Sequence, residues 1–508
     1  MTVLTALARA AAATSGRALP TKTVRHVYLS GRPLVLVAAQ LAGEACAPLA
    51  VLAGDDREKP RLLVAYEPRD RTQRFAFAAD LAAILLPAID GHIEDDGDSN
   101  SNSNSDSDSA EPYPDAPQLL VPNLPHVGFL RLLGRSTRFR KTEGEYAVPP
   151  AVPRLGRWLT YYAERAEVAP SALLVPMTGA LADHWATGQS AAEDANLATL
   201  LAWIDPPADL TGHAAARAAE DPVRCPPAGP ATDPTFDNEV LAPVLQAMHE
   251  ATLTGDGVRL GRARKAMDDA LRSQLEPTWA LIWRAVDLLR NLPAAAHLEQ
   301  RWLSDRRSFT SQVAWIREGG APQARRDSAV AAARRLARLE REQQRLAVER
   351  AYDDPLVMAE YRMTGEAFAG EVTAAEPDRV ELGKRPVLRP WITVATVDGV
   401  LISPGAVLKS PDRPGQQARV IDVVPPGAAT DGDGRTRVLL ELKGGMGRSL
   451  TPPPGSVPTV GEYVTYTSLR DDFQPAPKLP DNEDTPWTHG GPPPEYVPDD
   501  EDAREDWA

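Results

Sequence analysis

The order of three segments near the end of the chain constrains its fold most. A long, arginine-rich helical stretch (about 322–352) comes first, a β-rich module (about 386–469) follows, and an acidic, proline-rich tail comes last. Helical periodicity and strand periodicity in separate segments predict an α+β protein rather than an all-α or all-β one. Because 508 residues suffice for about two to four hydrophobic cores, we expect several domains.

The net charge of −15 is concentrated in two acidic segments. Residues 93–115 contain eight acids and no Lys or Arg, and residues 471–508 contain twelve acids against Lys478 and Arg504. Together they carry −18, which leaves +3 on the rest of the chain. Neither segment has apolar periodicity, so we expect residues 93–117 and 471–508 to be disordered.

Apolar patterning divides the chain into six segments. Residues 24–66 alternate strand-like runs with glycine turns, and Phe75 to Ile89 has helical spacing, which predicts a small antiparallel sheet closed by a helix. The predicted segments are an α+β domain (1–92), a disordered acidic Ser/Asn/Asp linker (93–117), a mostly helical region with a Pro-rich loop (118–235), a helical domain with a long Arg-rich helix (236–380), a small β-barrel of the SH3-like or OB-like kind (381–470) and a disordered acidic tail (471–508).

Two details of the helical part follow from local signals. A helix is predicted to begin at Pro277, because proline is tolerated in the first turn of a helix. The long helix has a heptad-like seam, which indicates a helix that projects from a partner or lies along it. The seam residues are Ala332, Leu336, Leu339, Gln343 and Leu346.

The Arg-rich helix is the first candidate binding surface. Residues 322–352 contain eight arginines against four acids. Such a stretch can hold a nucleic-acid backbone by charge; alternatively, the arginine stems cover apolar surface on a solvated helix face. The candidate residues are Arg325, Arg326, Arg334, Arg335, Arg338 and Arg345.

A glycine-rich loop in the β-module is the second candidate. The run Lys443 to Ser449 lacks the spacing of a nucleotide phosphate loop and links two strands instead of opening a helix. We interpret it as a hairpin loop whose glycines adopt positive φ. Alternatively, its backbone amides, with Lys443 and Arg448 beside them, contact a nucleic-acid phosphate.

Two resemblances bear on partners. The acidic tail with Trp507 is similar in character to the partner-recruiting tails of bacterial single-stranded-DNA-binding proteins, which implies a protein partner anchored by Trp507; a purely solvating tail is the alternative. The charged helix and small barrel over about 320–470 resemble, in element order, the stalk and barrel insertion of Upf-type superfamily 1 helicases. That resemblance implies contact with nucleic acid, and no helicase ATP motif accompanies it.

The sequence contains no metal-ligand cluster, phosphate loop or nucleophile motif, so we expect no cofactor and no metal. No two of the eight histidines are spaced as a helical metal pair, and we interpret His184 as a packed or surface residue. An enzymatic alternative rests on four N-terminal carboxylates, which are Glu44, Asp55, Asp56 and Glu67. They lack the Asp…Glu-x-Lys arrangement of magnesium nucleases.

The only two cysteines, Cys46 and Cys225, lie far apart, so a disulfide framework is not expected. Arg9 interrupts the short apolar run at the N-terminus, and no stretch approaches the roughly 18 apolar residues of a membrane span. These features predict a cytoplasmic protein without membrane contact. The heavy use of Ala, Arg, Pro, Gly and Asp is typical of a high-GC bacterial genome.

The leading hypothesis is a non-enzymatic accessory factor that uses the Arg-rich helix and the β-barrel as its contact surface. It binds nucleic acid weakly and in a salt-dependent manner, or it binds a nucleic-acid-processing partner of the helicase or nuclease type. Two alternatives remain. One is a scaffold or structural component of a bacterial operon or phage-like assembly, and the other is an enzyme with a carboxylate site in the N-terminal domain.

Overall fold

The computed structural model describes residues 2–41, 47–94, 111–382, 386–426, 434–470 and 478–480. These residues form two compact units. The larger unit is built from residues 5–21 and 25–343, and the smaller one from residues 344–470 together with residues 2–4 and 22–24. The larger unit combines helices with a five-stranded sheet, and the smaller unit combines helices with a closed β-barrel. This mixture confirms the predicted α+β class.

The helices, in chain order, are α1 (Val3–Ser15), α2 (Arg71–Glu94), α3 (Leu124–Thr137), α4 (Ala151–Arg165), α5 (Met177–His184), α6 (Leu197–Ile204), α7 (Gly212–Ala219), α8 (Pro234–Phe236), α9 (Ala242–Thr254), α10 (Gly257–Arg290), α11 (Leu298–Arg317), α12 (Ala329–Asp353) and α13 (Pro355–Met363). A π-helical turn (Asp237–Leu241) joins α8 to α9.

The strands are β1 (Leu19–Pro20), β2 (Leu34–Gln40), β3 (Pro48–Gly54), β4 (Arg61–Val64), β5 (Leu119–Val121), β6 (Leu174–Pro176), β7 (Trp185–Ala186), β8 (Ala367–Glu376), β9 (Val380–Glu381), β10 (Val387–Leu388), β11 (Trp391–Thr396), β12 (Val407–Ser410), β13 (Arg413–Val424), β14 (Thr436–Lys443) and β15 (Tyr463–Thr467).

The core of the larger unit is a five-stranded sheet with the order β4-β3-β2-β5-β6. β2, β3 and β4 pair antiparallel, which confirms the predicted antiparallel sheet. β5 and β6 extend it in parallel, with Leu34 opposite Leu119 and Leu119 opposite Leu174. The mostly helical prediction for residues 118–235 therefore misses three short strands, β5, β6 and β7, and one sheet combines residues from both sides of the acidic segment.

β2 and β3 are buried on both faces, as their continuous apolar sequences indicate. α2 and α10 both pack against β3. The expectation that no stretch approaches the length of a membrane span is wrong for α2, which alone among the described helices is long and apolar enough to cross a membrane by length and composition. Its residues Phe75, Leu81 and Leu85 are buried in the same core as the sheet, so in this fold α2 is a core helix.

The disorder predicted for residues 93–117 is wrong where the structure describes them. α2 continues to Glu94, and Tyr113 and Ala116 are buried. The Tyr113 ring packs edge-on against Phe309 at 5.8 Å, and its backbone N–H donates to Thr310 Oγ1 at 3.0 Å. Residues 95–110, and the predicted disordered tail apart from 478–480, lie outside the described residues.

The helix predicted to begin at Pro277 begins earlier in the chain, at Gly257, and Asp256 is its N-cap. α10 runs through Pro277 despite the lost backbone donor, which usually breaks a helix at a cost of about 3 kcal/mol. Burial of Trp279, Ile282 and Trp283 immediately after the proline offsets that cost.

The heptad-like seam predicted on α12 is not a packed seam. Leu336, in its middle, is 57 % exposed, whereas Leu346 is buried. In the part of α12 that belongs to the larger unit, Val330 is the buried apolar residue, and it lies outside the seam. A pattern of only two heptads does not identify which face of α12 packs against the rest of the protein.

The smaller unit contains a closed antiparallel barrel with the order β11-β14-β13-β12-β15-β8. Its core includes Phe368, Val394, Leu440 and Tyr466. The predicted small barrel is confirmed, although it has six strands where an OB-fold has five. It also begins earlier than predicted, with β8.

Candidate anion-binding site

The larger unit contains an open cavity of about 430 Å³ whose wall is rich in arginine. We call it the arginine cleft and define it by its charged lining residues, Arg131, Arg135, Arg138, Glu164, Glu167, Arg325, Asp327, Arg335 and Arg338. Six guanidinium groups face three carboxylates, so the lining carries a net charge of +3. A concave site with this charge attracts anions.

α3 and α4 form one side of the cleft because two glycines let them approach closely. A Cβ atom on Gly134 would lie 2.8 Å from the backbone nitrogen of Thr160, and one on Gly156 would lie 2.7 Å from Cα of Arg138. Neither helix could keep this spacing with a larger residue at these two positions. The close contact places Arg131 and Arg135 of α3 beside Glu164 of α4 and beside Glu167, which follows α4.

The segment before α12 is tied to α3 and α4 by arginine-to-carbonyl hydrogen bonds. Arg138, which is 3 % exposed, donates through Nε to the carbonyl of Gln323 at 2.8 Å and through Nη2 to that of Ala324 at 3.1 Å. Arg157 donates to the carbonyl of Gly320 at 2.6 Å. These bonds fix the position of Arg325 and of the start of α12 in the cleft.

Glu167 is the central carboxylate of the cleft. It accepts a hydrogen bond from Arg131 at 2.7 Å and another from Arg335. Arg335 also pairs with Asp327 at 3.3 Å. The hydrogen bond to Glu167 raises the pKa of the Arg335 guanidinium, which therefore stays charged. Two carboxylates of the cleft are thus already occupied by two arginines.

Arg135 and Arg338 are different, because neither has an ion-pair partner in the part of the chain that the structure describes. Both side chains are exposed and line the cavity from opposite elements, α3 and α12. Two charged guanidinium groups that face one cavity and are not paired directly with a carboxylate repel each other. An anion bound between them would remove that repulsion.

The third carboxylate, Glu164, is half-buried in the cleft one helical turn before Glu167. Burial raises the pKa of its carboxyl group, and the nearby charges of Arg335 and Arg138 act in the opposite direction. No hydrogen bond to its carboxylate occurs among the described residues.

The structure brings three of the predicted binding residues together, Arg325, Arg335 and Arg338. Arg326 and Arg334 are exposed next to them in sequence but do not line the cavity. The three arginines contributed by α3 and its C-terminal end were missed. Their signal was present, because Arg131, Arg135 and Arg138 repeat at helical spacing within Leu124 to Arg140.

Three other predicted binding residues, Arg345, Lys443 and Arg448, lie in the smaller unit. Arg345 pairs with Glu349 at 3.0 Å, one helical turn further along α12. Lys443 and Arg448 are exposed at the ends of the glycine-rich loop. Trp507, the predicted tail anchor, lies outside the described residues.

The glycine-rich loop is not a hairpin loop. It follows β14 and leads to β15, and these two strands pair with other neighbours in the barrel. The predicted backbone conformation is confirmed, since φ is +80° at Gly444, +69° at Gly445 and +72° at Gly447. Met446 between them is buried in the barrel core, which holds the loop against the barrel.

The carboxylates of the enzymatic alternative do not converge. Asp55 and Asp56 line one cavity, where Asp55 pairs with Arg32 at 2.6 Å. Glu67 lines a different, largely apolar cavity of about 730 Å³ beside α9, and Glu44 lies outside the described residues. Within the described ranges, no group of three His, Cys, Asp or Glu side chains could hold a metal ion.

His184 is a packed residue, which is one of the two alternatives inferred from the sequence. It is buried, its Nδ1 lies 2.7 Å from the carbonyl of Ala180, and its Nε2 accepts the backbone N–H of His26 at 3.0 Å. These two contacts fix Nδ1 as the protonated nitrogen. Neither ring nitrogen is left to act as a general base.

Comparison with known proteins adds no assignment. No family model matches the chain, and neither the curated proteins nor the solved structures include a match.

Proposed function

We propose that this chain is a cytoplasmic, non-enzymatic accessory factor that binds nucleic acid through the phosphates of its backbone, and that the arginine cleft is the contact surface. The observation that carries the proposal is the pair Arg135 and Arg338, two exposed guanidinium groups that face the same cavity with no carboxylate partner among the described residues. Guanidinium groups bind phosphate through paired, charge-assisted hydrogen bonds.

The lining chemistry favours phosphates over bases. Apart from Ala324, every residue that lines the cleft is polar or charged, and none is aromatic. Phe139 packs under Arg138 and Arg325 but is buried, so it offers no face for stacking. A site of this kind binds phosphates by charge and discriminates little between base sequences. We therefore expect binding that is independent of base sequence.

The spacing of the arginines suits a chain of phosphates better than a single ion. Arg131 and Arg135 are four residues apart on α3, and Arg335 and Arg338 are three residues apart on α12. A helix rises about 6 Å over four residues. Each pair thus presents two successive charges along one helix face. The resemblance in element order to a helicase stalk and barrel supports the same proposal, with Lys443 and Arg448 as a separate candidate contact.

The scaffold hypothesis remains the rival from another class. A protein that binds only protein would show no affinity for nucleic acid, or an affinity that does not depend on the arginines of the cleft. The predicted protein partner is compatible with both proposals, so it does not discriminate between them. Measurements of nucleic-acid binding by designed variants discriminate between the two proposals.

The test is charge reversal of the two arginines without carboxylate partners. In the full chain, Arg135→Glu with Arg338→Glu should lower the affinity for a fluorescent oligonucleotide at least about tenfold, since each charge-assisted hydrogen bond contributes about 1.5–3 kcal/mol. Binding is measured by fluorescence anisotropy over a salt series that starts at about 50 mM. Wild-type affinity should fall steeply with salt, and the double variant should have a slope smaller by about 2.

The matched control is Arg259→Glu with Arg262→Glu. Both arginines are exposed on α10, away from the cleft lining, and the change in net charge is the same. Reversal of exposed charges usually changes stability by less than about 0.5 kcal/mol, so all variants should fold. Absence of binding by the wild type at low salt, or equal losses in both double variants, would favour the scaffold hypothesis.

A further inference from the structure

Glu164 has an unusual position in the arginine cleft. Glu167 and Asp327 both engage Arg335, whereas the carboxylate of Glu164 accepts no hydrogen bond from any described residue. It is held in place by α4, whose preceding turn carries Thr160 in the cleft wall. Glu164 therefore lines the cavity with a carboxylate that a ligand can contact directly.

Charged groups face Glu164 from every element that forms the cleft. α3 and the residue after it contribute Arg131, Arg135 and Arg138, and the same stretch as Glu164 contributes Glu167. The segment before α12 contributes Arg325 and Asp327, and α12 itself contributes Arg335 and Arg338. No histidine lines the cavity within the described residues, and Glu167 and Asp327 are both paired with Arg335, so Glu164 is the carboxylate of the cleft that faces a bound anion without an ion-pair partner among the described residues.

We propose that Glu164 couples phosphate binding in the arginine cleft to the uptake of one proton. As a carboxylate, Glu164 compensates part of the positive charge of the empty cleft and repels an incoming phosphodiester. As a carboxylic acid, it donates an O–H···O hydrogen bond to a phosphodiester oxygen and removes the repulsion. The inference rests on the proposed function, because it concerns how the same cleft selects and releases its ligand.

The sign of the linkage follows from the electrostatics of the site. Burial already raises the pKa of Glu164 in the free protein. A phosphodiester beside it disfavours the carboxylate further, so the pKa in the complex lies above that in the free protein. The complex therefore binds more protons than the separated partners, and affinity rises as pH falls. One coupled proton permits at most about a tenfold change in affinity per pH unit.

The experiment compares wild type with Glu164→Gln in the full chain. The probe is a fluorescent oligonucleotide without terminal phosphates, since its diesters do not titrate between about pH 5 and pH 8. Wild-type affinity should increase towards low pH. The glutamine is a permanent neutral donor, so E164Q should bind more tightly than wild type at the upper end of this range and show a much flatter pH profile.

Glu340→Gln is the matched control. Glu340 is exposed on α12 outside the cleft lining, and its substitution changes the net charge by the same amount. It should keep the wild-type pH profile, which separates a local effect from a general charge effect. If wild type binds the probe but E164Q keeps the wild-type profile, the role of Glu164 is refuted while the proposed function stands. If wild type does not bind the probe at any pH, the proposed function itself fails.

Discussion

Replacing Asp305 by asparagine should lower the free energy of unfolding by about 3 kcal/mol or more. The Asp305 side chain on α11 is 1 % exposed and accepts three hydrogen bonds, from Arg165 at 2.7 Å, from the Ser171 hydroxyl at 2.7 Å and from the Ala172 backbone N–H at 2.6 Å. Arg165 is itself only 15 % exposed. Asparagine cannot neutralise that guanidinium, and removal of one partner of a buried ion pair costs about 3–5 kcal/mol.

Urea unfolding followed by tryptophan fluorescence measures this effect, because Trp158 and Trp302 are buried in the same core. The control is the same substitution at Asp269, whose ion pair with Lys265 is 2.7 Å long and has side chains that are 74 % and 62 % exposed. An exposed pair of this kind contributes less than about 1 kcal/mol. A similar loss of unfolding free energy in both variants would show that Asp305 does not stabilise the contact between α11 and the connection from α4 to β6.

Elements with strong local signals were predictable from the sequence. β2 is a continuous apolar run bounded by turn residues, and β15 lies within the segment predicted to be rich in strands. β5 and β6 were missed because each has three residues, and their strand conformation depends on parallel pairing with distant partners. β8 was missed because small residues dominate it, and Gly370 stands where a Cβ atom would clash with Ala395 of β11.

The candidate site was predictable only where its residues have a local signal in the sequence. Arg335 and Arg338 could be singled out because charge density along one helix is a local property of the sequence. Arg131 and Arg135 could not be joined to them, since they lie about two hundred residues away and meet α12 only through the tertiary fold. Glu164 carried no signal at all, because its role depends on its neighbours in space and not on the residues beside it in sequence.

Gly156→Ala should destabilise the larger unit by about 2 kcal/mol and weaken binding in the arginine cleft at the same time. Its new Cβ atom would overlap the backbone of Arg138, which cannot move as a flexible side chain would. Overpacking of this kind usually costs about 1–3 kcal/mol. The helices α3 and α4 would separate to relieve the clash, and Arg138 would lose its present position beside Gln323 and Ala324.

Gly128→Ala is the matched control, since Gly128 is also within α3 and a Cβ atom there has no neighbour within 4 Å. Alanine has the higher helix propensity, so this variant should be up to about 1 kcal/mol more stable than wild type and bind the oligonucleotide equally well. Thermal unfolding and anisotropy at low salt measure both properties. Loss of stability in Gly156→Ala with unchanged affinity would mean that the approach of α3 to α4 does not shape the ligand contact. Loss of both, with Gly128→Ala unaffected, would tie the anion site to the contact between α3 and α4 that Gly156 permits.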